Sequence, residues 1–292
     1  MRMSASALKQ FWGYFFVAPF LLVFLLFEVY PFVDALYLSL FDYGIGTKRF
    51  IGLGNYANLF ADDVFLRALL NTFLFVVGVV PLSVVFSIFV ASLVIQKSAA
   101  AATFFRASFY LPIVTSQVLL SITWLWIYNP VSGIANYALS LFGAEPVMWL
   151  SDSRFALPAL IAVVITWCVG QPIILYLAAL GNIPSTYYEA ASIDGATGWR
   201  QFWSITLPLL KPTTLYVIVT CTIGAFQTFV VVQLLTGGGP SYATTTVMYM
   251  LYETAFKYGK LGLACAMGVI LAVIISAFSV VQFKFFKTDV EY

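Results

Sequence analysis

A chain of 292 residues that is 62% hydrophobic and only 9% charged is far from a soluble domain, in which about a quarter of residues carry charge. Its net charge of +2 gives no reason to expect a nucleic acid or other polyanion as partner. The absence of histidine removes most metal sites and the commonest general acid–base group. The composition is that of a polytopic membrane protein.

In chain order, six segments reach the roughly 20 apolar residues that a spanning helix needs. They are about 12–40, 68–95, 107–128, 156–180, 214–235 and 262–285. The first keeps bulky apolar residues well past the length of a cleavable leader, so it reads as a retained span. Six crossings put both termini on one side. With the termini inside, eight basic residues (Arg2, Lys9, Lys97, Arg106, Arg200, Lys211, Lys284, Lys287) face the cytoplasm and six (Lys48, Arg49, Arg67, Arg154, Lys257, Lys260) face outward, in the direction that loop charge favours. Pro19, Pro31, Pro81, Pro112, Pro158 and Pro172 fall inside the first four segments. Each removes a backbone donor and kinks or interrupts its helix, either as ordinary membrane-helix chemistry or as part of a wet pathway. No repeat or low-complexity tract divides the chain. The expectation is one all-α transmembrane domain over 1–292.

The thiols of Cys168, Cys221 and Cys265 are widely separated within apolar runs, without metal-ligand spacing. Charges inside the spans are few, chiefly Glu28 and Asp34 in the first, and read as structural or interfacial. Buried charge is costly and usually functional, so this scarcity favours a neutral cargo. No G-x-x-x-x-G-K-[ST] phosphate loop occurs, Gly259-Lys260 lacking the upstream glycine, so the chain is not itself an ATPase. A membrane-embedded enzyme would need clustered acids, histidines or a nucleophile–base pair in the spans. An ion-coupled transporter would commonly show inverted repeats and mid-membrane ion ligands. Neither pattern is present.

Residues 182–212 are a structured polar interruption. Thr186-Tyr187-Tyr188-Glu189 fits a capping box, a helix is expected to run to about Thr197, and Gly198 suits its stop. Such a helix is too short to stand alone and must pack on something, either the membrane interface or a partner. The spacing decides between them. Glu189-Ala190-Ala191, three residues, Gly195, nine residues, Ile205, one residue, Leu207-Pro208 resembles the EAA loop of ABC importer permeases at every fixed position. Phe50-Ile51-Gly52-Leu53-Gly54-Asn55-Tyr56, Asn71-Thr72, Arg106 with Leu111-Pro112, and Leu235-Thr236-Gly237-Gly238-Gly239-Pro240 with Thr244 are similar to the maltose-type permeases of carbohydrate importers, in the shorter six-span form.

The resemblance implies an ABC type I importer permease fold in the cell membrane, with both termini and the 182–212 loop cytoplasmic. The loop would be a coupling helix seated on cytoplasmic ATP-binding subunits, Glu189 contacting a basic residue there and Gly195 permitting the turn after the helix. Asp194 is either part of this surface or a local turn former. The chain itself would bind no cofactor, ATP and magnesium residing on the partner ATPases. Other implied partners are a second homologous permease, an external substrate-binding protein, lipid, and a sugar or oligosaccharide, with a polyol phosphate as the alternative cargo. Gln117, Trp167, Gln171, Cys221, Gly224, Phe226, Gln227 and Thr228 would line the pathway. The plainer reading for each is helix packing or an interhelical hydrogen bond.

Overall fold

The computed structural model describes residues 5–286, with side chains described for residues 12–285. Arg2 and Lys287, which enter the charge balance, lie outside the described residues, as does the side chain of Lys9.

The described residues begin in α1 (Ala5–Phe24), which widens into a π-turn at Leu25–Val29 and continues as α2 (Tyr30–Leu38). Pro31 has no N–H for the Phe27 carbonyl and would crowd it in a regular helix, and the widened turn absorbs the mismatch. None of the residues from Trp12 to Leu38 is buried. The helix over the first expected span ends at Leu38, two residues short of the expected limit at 40. An unanticipated hairpin follows, which qualifies the all-α expectation. Strands β1 (Phe41–Gly44) and β2 (Thr47–Phe50) pair antiparallel with Phe41 opposite Phe50, and Gly46 makes the turn with φ +78°. Then comes α3 (Gly54–Phe60).

Helix α4 (Asp63–Val94) has 32 residues and Asp62 as its N-cap, the carboxylate accepting from the Val64 amide at 2.8 Å. It runs through Pro81 without a break. The third expected span is instead two helices, α5 (Ala99–Val114) and α6 (Gln117–Ile127), inclined by 100°. Pro112 sits just before the bend, the Thr115 hydroxyl donates to the Pro112 carbonyl at 2.7 Å, and the Ser116 hydroxyl caps α6. After α7 (Ile134–Ser140), the fourth span is α8 (Ala156–Cys168) and α9 (Gly170–Gly181), bent by 48°. Pro158 and Pro172 lie in the first turns of these helices, where no intrahelical donor is required.

The polar segment holds α10 (Ser185–Ile193), α11 (Gly198–Gln201), a π-turn at Phe202–Thr206 and α12 (Leu207–Leu209). Here again a proline, Pro208, follows two residues after the π-turn. The direction changes by 65° at Leu210 into α13 (Lys211–Phe226), and α14 (Val230–Leu235) follows an interruption at Gln227–Phe229. The described residues close with α15 (Val247–Tyr252), a third π-turn at Glu253–Lys257 and α16 (Leu261–Phe286).

Among the described residues, three helices are individually long and apolar enough to cross a membrane, and three bent pairs raise the number to six if each counts as one span. The described residues form two compact units. The first runs up to Ala61 and takes in Leu251–Ile270; the second comprises 62–250 and the chain beyond 270. In the first, the Asn55 amide donates to the Ser39 and Phe41 carbonyls at 2.8 Å each, and Lys48 lies 5.2 Å from the ring centres of Tyr37 and Phe41, a cation–π contact. In the second, α4 is the centre. It packs on α8, α9 and α13, and Phe65, Phe75, Leu160, Ile173 and Tyr176 are wholly shielded there.

Candidate functional site: a broken-helix cavity and an exposed loop

Within the second unit, three helix interruptions converge. The α5–α6 bend, the α8–α9 bend and the α13–α14 gap all border one cavity of about 240 Å³. A break frees backbone polar groups, and at membrane depth these are tolerated only against protein or a water-filled space. The cavity supplies that space.

Each break also delivers a carboxamide. Gln117 is the first residue of α6, Gln171 lies in the first turn of α9, and Gln227 caps the C-terminal end of α13, and all three line the cavity. Trp167, Cys221, Gly224 and Thr228 join them. Phe226 does not: it is 2% exposed and meets Phe278 edge-on at 5.4 Å, so its place is in the packing between α13 and α16. The remaining wall is largely apolar, with Val79, Ile113, Val164, Leu175 and Val231, and Thr220 adds a hydroxyl. Thr220 precedes Gly224 by four residues, so helical periodicity alone could have found it. Its hydroxyl donates to the Tyr216 carbonyl at 2.9 Å, leaving only acceptor capacity. Cys168 also faces this space, with its sulfur 3.2 Å from the Ser83 hydroxyl; no spacing rule would have singled it out.

The loop at 182–212 divides into an outward and an inward half. Helix α10 starts at Ser185 with Pro184 as its N-cap and no side-chain cap. The expected Thr186–Glu189 capping box does not form, because Pro184 already breaks the chain one residue before Ser185 and places Thr186 inside the helix. The stop also comes earlier than expected. The Ala196 amide bonds the Ala191 carbonyl at 2.9 Å and the Gly195 amide bonds Ser192 at 3.1 Å, a Schellman closure that requires the left-handed φ of +75° at Gly195. Gly198 instead opens α11, where the Thr197 hydroxyl caps the Arg200 amide.

Glu189 and Ala190 are exposed on the short helix with Ala191 half-buried beside them, and Asp194 and Gly195 are exposed at its C-terminal end. The Asp194 side chain makes no hydrogen bond among the described residues, although its backbone terminates the helix. Beside them Ile193 is 87% and Trp199 73% exposed. The loop is braced from within: the Gln201 amide donates to the Ser192 hydroxyl at 2.9 Å and the Ala196 carbonyl at 3.2 Å, while the hydroxyls of Tyr188 and Thr206 meet at 2.9 Å. Leu207 and Pro208 are half-buried, Ile205 lies on the same turn, and Leu207 packs on the core around Tyr176 and Leu210. The motif thus joins a presented surface to a buried root.

Residues 50–287 match the model of the "binding-protein-dependent transport system inner membrane component" family. The chain belongs to this family. Among its relatives is the probable ABC transporter permease YurN of Bacillus subtilis, 37% identical over 95% of this chain and 97% of that one. Another is the lactose transport system permease LacF of Rhizobium radiobacter, 35% identical over 96% of both chains. The fold is that of a solved ABC transporter chain, a bacterial alginate transporter in complex with an alginate pentasaccharide-bound periplasmic protein. The TM-score is 0.86 over 99% of this chain and 100% of that one, with 24% sequence identity. Members of this family are inner membrane components, and the long apolar helices here agree with that location.

Several residues that carry the family likeness hold the fold rather than line the cavity. The Asn71 amide donates to the Tyr242 and Thr245 carbonyls at 2.8 and 3.0 Å, and the Thr72 hydroxyl accepts from the Val247 amide at 3.0 Å. Gly238 has φ +80° and lies close under Thr245 and Tyr249. Asn136 does similar work in the 129–155 segment, its carbonyl oxygen accepting from the Val147 amide and the Trp149 indole and its amide donating to Pro130 and Val147. No motif or spacing in the sequence singles it out. Nearby, hydrogen bonds from Arg154 hold the Asp152 carboxyl well below its ordinary range, at about 2.

Proposed function

We propose that this chain is the membrane subunit of an ATP-driven importer that receives a sugar or oligosaccharide from an external binding protein and passes it to the cytoplasm. Six crossings fit the order of long helices and bent pairs, and the excess of basic residues on one side favours both termini and the 182–212 loop in the cytoplasm. ATP and magnesium belong to separate ATP-binding subunits, a second homologous permease completes the pathway, and this chain does no chemistry. One relative is a lactose transport permease, and the solved neighbour is held with an oligosaccharide-bound periplasmic protein; both support a carbohydrate cargo.

The single observation that carries the reading is the exposed, Schellman-closed helix Ser185–Ile193 on the EAA spacing. An isolated nine-residue helix has little stability of its own, yet this one presents Glu189 and Ile193 to its surroundings, with Trp199 of α11 exposed beside them. Burying a side chain such as Ile193 contributes about 1.5–3 kcal/mol, so a protein cleft that receives the helix gains from it. Glu189 adds the charge that a basic residue in that cleft would pair. Motion of the ATP-binding subunits then reaches the cavity through Leu207 and Leu210, which root the loop in the core beside α9 and α13.

Co-purification tests this directly. Glu189→Lys and Ile193→Ser, both on exposed positions, are expected to lose most of the ATP-binding subunit that accompanies the unaltered permease, while their amounts in the membrane stay the same. Full retention of that subunit by both variants would refute the assignment of the loop.

A further inference from the structure

We propose that Cys168 and Cys221 form a dithiol site on the cavity wall, which hydrogen peroxide closes to a disulfide, and that this bond arrests transport until a thiol reductant reopens it. The oxidation belongs to the pair itself, whereas its effect on transport rests on the importer reading. The two cysteines are far apart in the sequence, and the fold brings them together. Cys168 is the last residue of α8, at the 48° bend, and Cys221 lies in the C-terminal half of α13. Both line the cavity, and both pack on the buried cluster around Ile173, Tyr176 and Val217. Their thiols share a hydrogen bond.

The surroundings suit a reactive pair. Both cysteines are only half-buried, so a small oxidant in the cavity can reach them. The Cys168 thiol donates to the Ile165 carbonyl at 3.7 Å, which leaves its sulfur to accept from the Ser83 hydroxyl at 3.2 Å and from the Cys221 thiol. Both donors stay in place when that sulfur gives up its proton, and the deprotonated form is the one that reacts. Peroxide converts the Cys168 thiol to a sulfenic acid and one water. The Cys221 sulfur then attacks it, the S–S bond forms and a second water leaves, so two thiols and one peroxide give one disulfide and two waters. A cavity open to the outer side meets the compartment in which disulfides persist, and a thiol reductant reverses the bond by exchange. The mechanical consequence follows from the two helices joined. α13 carries the motion of the loop inward from Leu210, and the α8–α9 bend forms the wall beside it. A bond of about 2 Å between the sulfurs ties these walls together, so the cavity cannot widen to pass a solute.

The test uses the complete complex in proteoliposomes, treated with hydrogen peroxide and then with dithiothreitol. Peptide mass analysis without reduction is expected to find Cys168 and Cys221 cross-linked, the pair lighter than its two separate peptides by the hydrogens lost. ATP-driven uptake of labelled maltose or lactose, whichever the complex accumulates, is expected to lose most of its untreated value with peroxide and to recover with dithiothreitol. Cys168→Ser and Cys221→Ser, each compared with its own untreated uptake, are expected to lose the cross-link and most of the inhibition. Cys265→Ser, which leaves the cavity wall as it is, is expected to respond like the unaltered complex. Thiols on the other subunits are common to all of these samples, so the difference between them isolates the pair. No cross-link in the unaltered complex overturns the proposal, and that readout needs no variant to assemble. A cross-link that leaves uptake undiminished, or equal inhibition of the two serine variants, overturns the arrest. If the untreated complex accumulates no solute with ATP, the importer reading fails and the arrest with it, and the cross-link alone then decides whether the pair is a dithiol site.

Discussion

At Gly195 one backbone angle decides how a surface is presented. Its φ of +75° closes α10 so that Glu189 and Ile193 sit on a helix with a defined end, and nothing lies within 4 Å of where a Cβ would be. Substitution there is therefore a conformational matter, not a steric clash with neighbours. An L-residue in this region costs about 1–2 kcal/mol, and a β-branched one more, whereas asparagine visits it readily. Gly195→Val is accordingly expected to lower ATP-driven uptake severalfold while Gly195→Asn keeps most of it, in proteoliposomes with equal amounts of assembled complex. Equal uptake by the two variants would argue against a role for the closure. Gly195 is legible in the sequence only through its place in a spaced motif. By local chemistry, Thr186 is the better start and Gly198 the better stop, and Pro184 and the Schellman bonds of Gly195 and Ala196 override both.

The elements show how broken helices make a site. Proline positions inside apolar runs foretell interruptions, but not where each falls. Pro112 precedes a 100° bend and Pro81 leaves α4 straight enough to count as one helix, a difference set by the Thr115 and Ser116 hydrogen bonds and by packing around α4 that no local rule contains. The α8–α9 bend depends on close approach. A Cβ on Gly170 would collide with the Phe109 carbonyl of α5, a backbone atom that cannot turn aside. Gly170→Ala is expected to cost about 1–3 kcal/mol and to lower the thermal midpoint of the purified complex. Gly224 is the contrast, since a Cβ there would meet nothing within 4 Å. Gly224→Ala should leave the midpoint unchanged and only reduce the cavity. Equal midpoints for the two variants would contradict the close-approach explanation. The glutamines at the three breaks are readable because polar residues at membrane depth stand out. Phe226 is not, since an aromatic beside a polar face can turn either way, and here it turns to Phe278.

For the whole molecule, the class is legible in the sequence: apolar length predicts the helical segments to within a few residues at most ends, and the seven spaced loop residues point to the family that residues 50–287 match. The hairpin at 41–50 is not legible, because its two four-residue strands are too short for periodicity to register. Nor does apolar length explain why Trp12–Leu38 has no buried residue in the isolated chain. Such a helix meets lipid or the second permease of the proposed assembly. On the importer reading, a cavity at three helix breaks and an exposed loop rooted beside α9 and α13 are the two working parts of one ATP-driven machine. The most direct measurement is accumulation of labelled maltose in proteoliposomes holding the complete complex, with ATP on the loop side and loaded binding protein on the other. Accumulation that requires ATP and is abolished by Glu189→Lys is the predicted result; undiminished accumulation by Glu189→Lys, or accumulation without ATP, would contradict it.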